Sequence, residues 1–120
     1  MSGAPAFSIV IPAYNYAHFL RRAVTSACTQ DGADVEVLVV DDNSPDGTGD
    51  IADGLAKVSD RVHVLHREEK DGLGRAYCAG FAWALERDYE FIFEMDCDFS
   101  HDPNDLKNLL AEAQTNDLVI

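Results

Sequence analysis

Phe91-Ile92-Phe93-Glu94-Met95-Asp96-Cys97-Asp98-Phe99-Ser100-His101-Asp102-Pro103 decides how this chain is read. It opens as a short apolar strand and ends in two carboxylates two residues apart. A polar turn follows, then a proline that can start a helix. On an extended backbone, side chains at i and i+2 point the same way, so Asp96 and Asp98 face one ligand together while Cys97 turns into the sheet. Two like charges held that close repel each other unless a cation lies between them. A divalent metal that prefers oxygen ligands, Mg2+ or Mn2+, removes the repulsion and keeps open positions for a diphosphate. The alternative use of such acids is helix capping, for which Asp102 is well placed. Capping needs one side chain, however, and leaves Asp96 at a strand end without a role. His101 could support a metal or a phosphate, or serve as a hydrogen-bonding bystander in the turn.

Working outward, apolar runs alternate with helical patterns. Residues 7–11, 35–40, 62–65 and 91–95 read as strands, and Leu118-Val119-Ile120 as the start of a fifth. Helices are expected over 18–29, 50–58, 75–87 and 103–115. The first carries Phe19, Leu20, Ala23, Val24, Ala27 and Cys28 on one face. The second carries Ile51, Leu55 and Val58 with Thr48 as its cap, and the third Tyr77, Phe81, Ala84 and Leu85. The fourth starts at Asp102 and Pro103. Strand–helix alternation with near-continuous apolar strands predicts an α/β fold, a mostly parallel sheet with helices on both faces. Right-handed crossovers make 3-2-1-4 the simplest strand order. Ligands of such sheets bind outside the carboxyl ends of the strands. The polar clusters at 12–15, 41–46, 67–75 and 96–102 all fall there.

Composition narrows the function. The chain has 120 residues, enough for one compact domain, and 47% of them are apolar. Its 22 acids against 9 bases give a formal net charge of −13, which argues against nucleic acid and anionic membrane surfaces as general partners. Cys28, Cys78 and Cys97 form no CxxC pair and read as small core residues in a reducing cytosol. No apolar run is long enough to span a bilayer, and the N-terminus lacks the pattern of a signal peptide.

Two further clusters fit phosphate chemistry, each with a plainer alternative. Asp41-Asp42-Asn43-Ser44 closes the second strand, where a carboxylate can accept N–H bonds from a nucleobase and Ser44 adds a donor. Ser44-Pro45-Asp46-Gly47 is also good turn chemistry in its own right. Lys70-Asp71-Gly72-Leu73-Gly74-Arg75 leads into the third helix. Glycines let backbone approach an anion at a helix start, with Lys70 or Arg75 for charge; a tight loop with solvated charges is the alternative. His18, His63 and His66 lack ligand spacing and read as surface or packing residues. Tyr77, Phe81 and Trp83 read as helix–sheet packing.

Taken together, these segments resemble glycosyltransferase family 2, the inverting nucleotide-sugar transferases of the Rossmann-like GT-A fold. Ser8-Ile9-Val10-Ile11-Pro12-Ala13-Tyr14-Asn15 is similar to that family's opening strand and loop, Asp41-Asp42-Asn43-Ser44 to its base-binding turn, and Asp96-Cys97-Asp98 to its DxD metal motif. Within the family, residues 44–48, 72–77 and 94–103 resemble the polyprenol (dolichol) phosphate mannosyltransferase branch. Tyr16 stands where the branch usually has an acid, and Cys97 replaces the usual Ala. The resemblance implies nucleotide contacts from Pro12, Tyr14, Asn15, Asp41, Asp42, Ser44, Lys70, Gly72 and Asp96. It implies Mg2+ or Mn2+ at Asp96 and Asp98, and catalytic roles for Asp98 and Arg75. The implied reaction is transfer of mannose from GDP-mannose to a polyprenyl phosphate with inversion. Two other readings stand beside it: a UDP-sugar enzyme with a saccharide acceptor, and an inert nucleotide-binding module. Residues 1–120 would then be the nucleotide-binding half, ending before the acceptor half. The enzyme would be cytoplasmic and meet the membrane through its lipid acceptor or a C-terminal part. The acid pattern of receiver domains and phosphatases, with its following Thr, is absent.

Overall fold

The structure is a computed structural model, and it describes residues 7–14, 17–28, 35–42, 44–68, 72–87, 89, 91–96 and 106–116. Its elements alternate as expected: β1 (Phe7–Ala13), α1 (Ala17–Cys28), β2 (Val35–Asp41), α2 (Thr48–Val58), β3 (Val62–His66), α3 (Leu73–Leu85), β4 (Phe91–Glu94) and α4 (Leu106–Ala113). The strands form one sheet in the order β3-β2-β1-β4, and every pairing is parallel. That is the predicted topology. The expected fifth strand, Leu118 to Ile120, and the helix start at Asp102 and Pro103 lie outside the described residues.

The sequence explains the layering. β1 and β2 are central, so both of their faces must be apolar. Ile9, Ile11, Val35, Val37 and Val39 point to one side, where α1, α2 and Leu109 of α4 pack on them. Val10, Leu38 and Val40 point to the other, against Ala76, Tyr77, Phe81 and Trp83 of α3. The two sides follow from handedness. Right-handed crossovers that step outward from β1 to β3 place α1 and α2 on one face, and the return to β4 places α3 on the opposite face. At Gly80 a Cβ would lie 2.5 Å from Val10 Cγ1 and 3.1 Å from Val40 Cγ2. The absent side chain is what lets α3 sit that close.

Pro12 lies within β1, opposite Val40, and extends that strand past its expected end. Val10 accepts from Met95 N at 3.0 Å, so residues of this parity face β4. Pro12 shares that parity, and β4 ends at Glu94. Its missing N–H therefore interrupts no ladder bond.

Several side chains differ from expectation. Phe19 is 40% exposed, Val58 83% and Leu85 72%, so the apolar stripes of α1, α2 and α3 are narrower than periodicity suggests. Val58 and Leu85 are the last residues of their helices. Cys28 does pack against the core, and burial raises its thiol pKa. Cys78, by contrast, is exposed, which corrects its reading as a core residue. No helix among the described residues is long and apolar enough to cross a membrane.

Candidate nucleotide site at the carboxyl edge

The ends of β1, β2 and β3 are stitched together by backbone and short polar side chains. Ala13 O accepts from Asp42 N at 3.1 Å and from Ser44 Oγ at 3.4 Å. Asp46 serves the turn and both helix starts beside it. Its Oδ1 accepts from Thr48 N at 3.1 Å and from the Thr48 hydroxyl, and its Oδ2 from Ala17 N at 3.3 Å. These bonds, the Thr48 hydroxyl first, pull the Asp46 carboxyl below its usual range. Gly47 takes φ 88° as the residue before α2, a conformation that favours glycine. Thr48 is thus the first residue of α2 and not its cap; no side chain at Gly47 can cap, and Asp46 supplies the acceptor instead. Pro45, Asp46 and Gly47 are accounted for by the turn alone.

Asp41 and Asp42 are not. Both are buried, and alternation along β2 sends them to opposite sides. Asp41 Oδ1 accepts from Ser44 N at 3.1 Å, and its Oδ2 lies 3.1 Å from His66 Nδ1. The other ring nitrogen of His66 is 2.8 Å from Asp53 Oδ1 on α2. Asp42 Oδ1 accepts from Arg67 Nη1 at 2.8 Å, and Arg67 N donates to Asp41 O at 2.8 Å. The end of β3 therefore grips the end of β2 through two adjacent residues.

On the far side of β1, Asp96 follows β4. Its Oδ1 accepts from the Tyr77 hydroxyl at 2.5 Å, while the Tyr77 ring stacks on Phe81 at 5.9 Å between centroids. Gly72 precedes α3 with φ 97°, and Arg75 is exposed in the first turn of that helix. Pro12 is buried in β1 and Tyr14 half-buried just after it. The carboxyl edge thus brings together Pro12, Tyr14, Asp41, Asp42, Ser44, Gly72, Arg75 and Asp96. Asn15, Lys70 and Asp98 lie outside the described residues, as do Cys97 and His101. Among the described residues no group of three or more His, Cys, Asp or Glu side chains is placed to hold a metal ion. Asp96 is the one member of the acid pair described, a carboxylate of the donor type that Mg2+ and Mn2+ take.

Two residues read only as surface or packing groups belong to this edge. His66 contacts Asp41, and Tyr77 contacts Asp96. His63 does pack, with its ring 5.3 Å from Trp83. The signal that could have found His66 was its position: it closes β3 as Asp41 closes β2, so the strand-end argument applied to both.

A parallel sheet in this order, with its acids on the carboxyl edge, defines the Rossmann-like frame of GT-A transferases. Residues 8–120 match the family model described as glycosyl transferase family 2, and the chain belongs to that family. It is 53% identical over 112 residues to the undecaprenyl-phosphate mannosyltransferase of Micrococcus luteus, covering 92% of this chain and 45% of that protein. It is 52% identical over 106 residues to the polyprenol monophosphomannose synthase of Mycolicibacterium smegmatis, covering 85% and 38%. The chain therefore spans less than half the length of these curated relatives. Among solved structures, the mannosyltransferase PcManGT from Pyrobaculum calidifontis, in complex with GDP-Man and Mn2+, superposes with a TM-score of 0.73. The match covers 91% of this chain and 32% of that one at 22% identity, a likeness of fold.

Proposed function

We propose that this chain is the donor-binding part of a metal-dependent, inverting mannosyltransferase that moves mannose from GDP-mannose to a polyprenyl phosphate. The observation that carries this reading is the placement of Asp41 and Asp42 on one side of β1 and Asp96 on the other. It is joined by 52–53% identity to two relatives whose names specify polyprenyl-phosphate mannosyl transfer. In a 3-2-1-4 sheet the chain reverses direction between β1 and β4, and that switch point is where the fold offers a ligand its crevice. The diphosphate would lie there, beside Asp96 and the start of α3. The base would lie toward Asp41, Asp42 and Ser44, with Pro12, Tyr14 and Asn15 closing the β1 side.

Asp96 and Asp98 would hold Mg2+ or Mn2+. Bound there, the cation would neutralise the diphosphate and stabilise charge on the departing nucleotide. Arg75, Lys70 and the Gly72 backbone at the α3 N-terminus would add positive potential to the same phosphates. A polyprenyl phosphate oxygen is anionic at neutral pH, so it attacks the anomeric carbon without a general base. As that C–O bond forms, the bond from the anomeric carbon to the diphosphate breaks on the opposite face, and GDP leaves with the electron pair. One displacement of this kind inverts the anomeric centre. The acceptor site would lie in sequence that the relatives have beyond the matched region, and the enzyme would meet the membrane through its lipid substrate.

Turnover is tested with the full-length enzyme that carries this donor-binding part, incubated with GDP-mannose, Mn2+ and a short-chain polyprenyl phosphate. A β-linked mannosyl phospholipid, lost in Asp98→Asn with the fold unchanged, is the expected product. Transfer from a UDP-sugar only, or retention at the anomeric carbon, would overturn the proposal.

A further inference from the structure

We infer that His66 is a positioning residue of the nucleotide site, a clasp that fixes the Asp41 end of the β2 turn against α2. The inference rests on the nucleotide-binding reading above and assigns a role to a residue outside the acids and bases already named.

His66 is the last residue of β3. Strand alternation places it on the α2 side, after Val62 and Val64, which pack into the core of that face. Its ring spans two elements, with Nδ1 3.1 Å from Asp41 Oδ2 and Nε2 2.8 Å from Asp53 Oδ1. Neither carboxylate can donate when ionised, so both contacts are hydrogen bonds together only if the imidazole carries two protons. A cation between two anions is the arrangement that satisfies every atom. Asp41 has little freedom of its own. Its other oxygen is held by Ser44 N at 3.1 Å, and a Cβ at Gly49 would lie 2.4 Å from Oδ2 and 3.2 Å from His66 Cε1. The carboxylate is therefore pressed onto the first turn of α2, and His66 sets its remaining contact. Asp41 in turn orders Ser44, and Arg67, the residue after His66, binds Asp42. Releasing His66 loosens the Asp41–Ser44 turn at the point where the base would sit.

The clasp depends on charge. Among the described residues, the charged groups bonded to the ring are Asp41 from β2 and Asp53 from α2. The Asp53 hydrogen bond, then that of Asp41, raises the imidazole pKa above 6.5 in spite of partial burial. A raised folded value means the clasp is fully present below 6.5 and is lost as pH rises through the higher folded value. Nucleotide affinity should follow it.

The test compares GDP affinity, with Mn2+, of the wild type, His66→Gln and Asp53→Asn at about pH 6 and about pH 8.5. NMR of the His66 ring nitrogens is followed across the same range. Wild type is expected to bind GDP roughly five- to tenfold more tightly than His66→Gln at the lower pH, with the gap closing at the higher one. Asp53→Asn, a surface change that spares the fold, should lower the ring's titration point and weaken binding at the lower pH. Equal affinities for wild type and both variants at both pH values would overturn the inference and leave the nucleotide reading standing. No binding of GDP or UDP by any of them would overturn both.

Discussion

Strand β2 carries an acid near each end, and β3 offers a histidine to each. At the amino end, on the α3 face, Glu36 Oε1 lies 2.7 Å from His63 Nε2 and accepts from the Tyr89 hydroxyl at 2.7 Å. At the carboxyl end, on the α2 face, Asp41 meets His66, and His66 meets Asp53. The pairs use the same chemistry but are enclosed differently. His63 lies against Trp83, whose ring is covered in turn by the Arg87 guanidinium at 3.4 Å. Burial first, and Glu36 second, push the Tyr89 hydroxyl well above its usual range, so it stays a donor. This end closes the connection from α3 to β4 onto the sheet. The carboxyl end substitutes a second carboxylate and a turn N–H for the aromatic cover, at the edge where ligands of this fold bind. A His–carboxylate contact thus acquires its role from its position on the sheet.

Substitutions at the two ends of β2 should separate their roles. The largest effect is expected for Asp42→Ala, which takes the carboxylate from a mostly buried Arg67. Removing one partner of such a pair costs about 3 kcal/mol, and nucleotide binding should fall with it. Urea melts no different from wild type would show that the pair is not a structural element of this edge. Next, Glu36→Ala leaves the Tyr89 hydroxyl and His63 without their acceptor, for a loss of about 2 kcal/mol. GDP affinity should stay within about twofold of wild type. A larger fall would erase the distinction between the two ends.

Tyr77→Phe removes one hydrogen bond to Asp96 and should lower stability by about 1 kcal/mol. Because the ring still stacks on Phe81, its specific signature is a few-fold weaker Mn2+ effect on GDP binding, measured by calorimetry. Unchanged Mn2+ dependence would reduce Tyr77 to packing. The smallest effect concerns acid. Asp46 has a depressed folded pKa, so its contribution is present above the ordinary value of 3.8 and is lost as pH falls through the lower folded one. Asp46→Asn should lower stability modestly at neutral pH, where the ionised carboxylate contributes, and flatten the acid limb of a stability–pH profile, so that the two proteins converge as pH falls.

Much of the fold was legible because its signals are local. Val37 to Val40 is apolar on both faces, which only a covered central strand tolerates, and Gly47 and Gly72 mark turns by backbone need. Strand order followed from crossover handedness. The acids of the edge were legible because strand ends carry them as pairs. What stayed hidden depends on distant partners. His66 and Asp41 are 25 residues apart in sequence, Tyr77 and Asp96 are 19 apart, and no spacing rule joins them. Periodicity also overstated burial at Phe19, Val58 and Leu85, since it shows which residues share a face and not how far the sheet beneath extends.

In the proposed function the carboxyl edge binds a nucleoside diphosphate through a cation held at the end of β4. Calorimetric titration of GDP into the protein, with and without Mn2+, and into Asp96→Asn, measures that binding. Mn2+ should tighten binding to the wild type by about tenfold or more and have no effect on the variant. Binding that is the same with and without Mn2+ in both proteins would contradict the account.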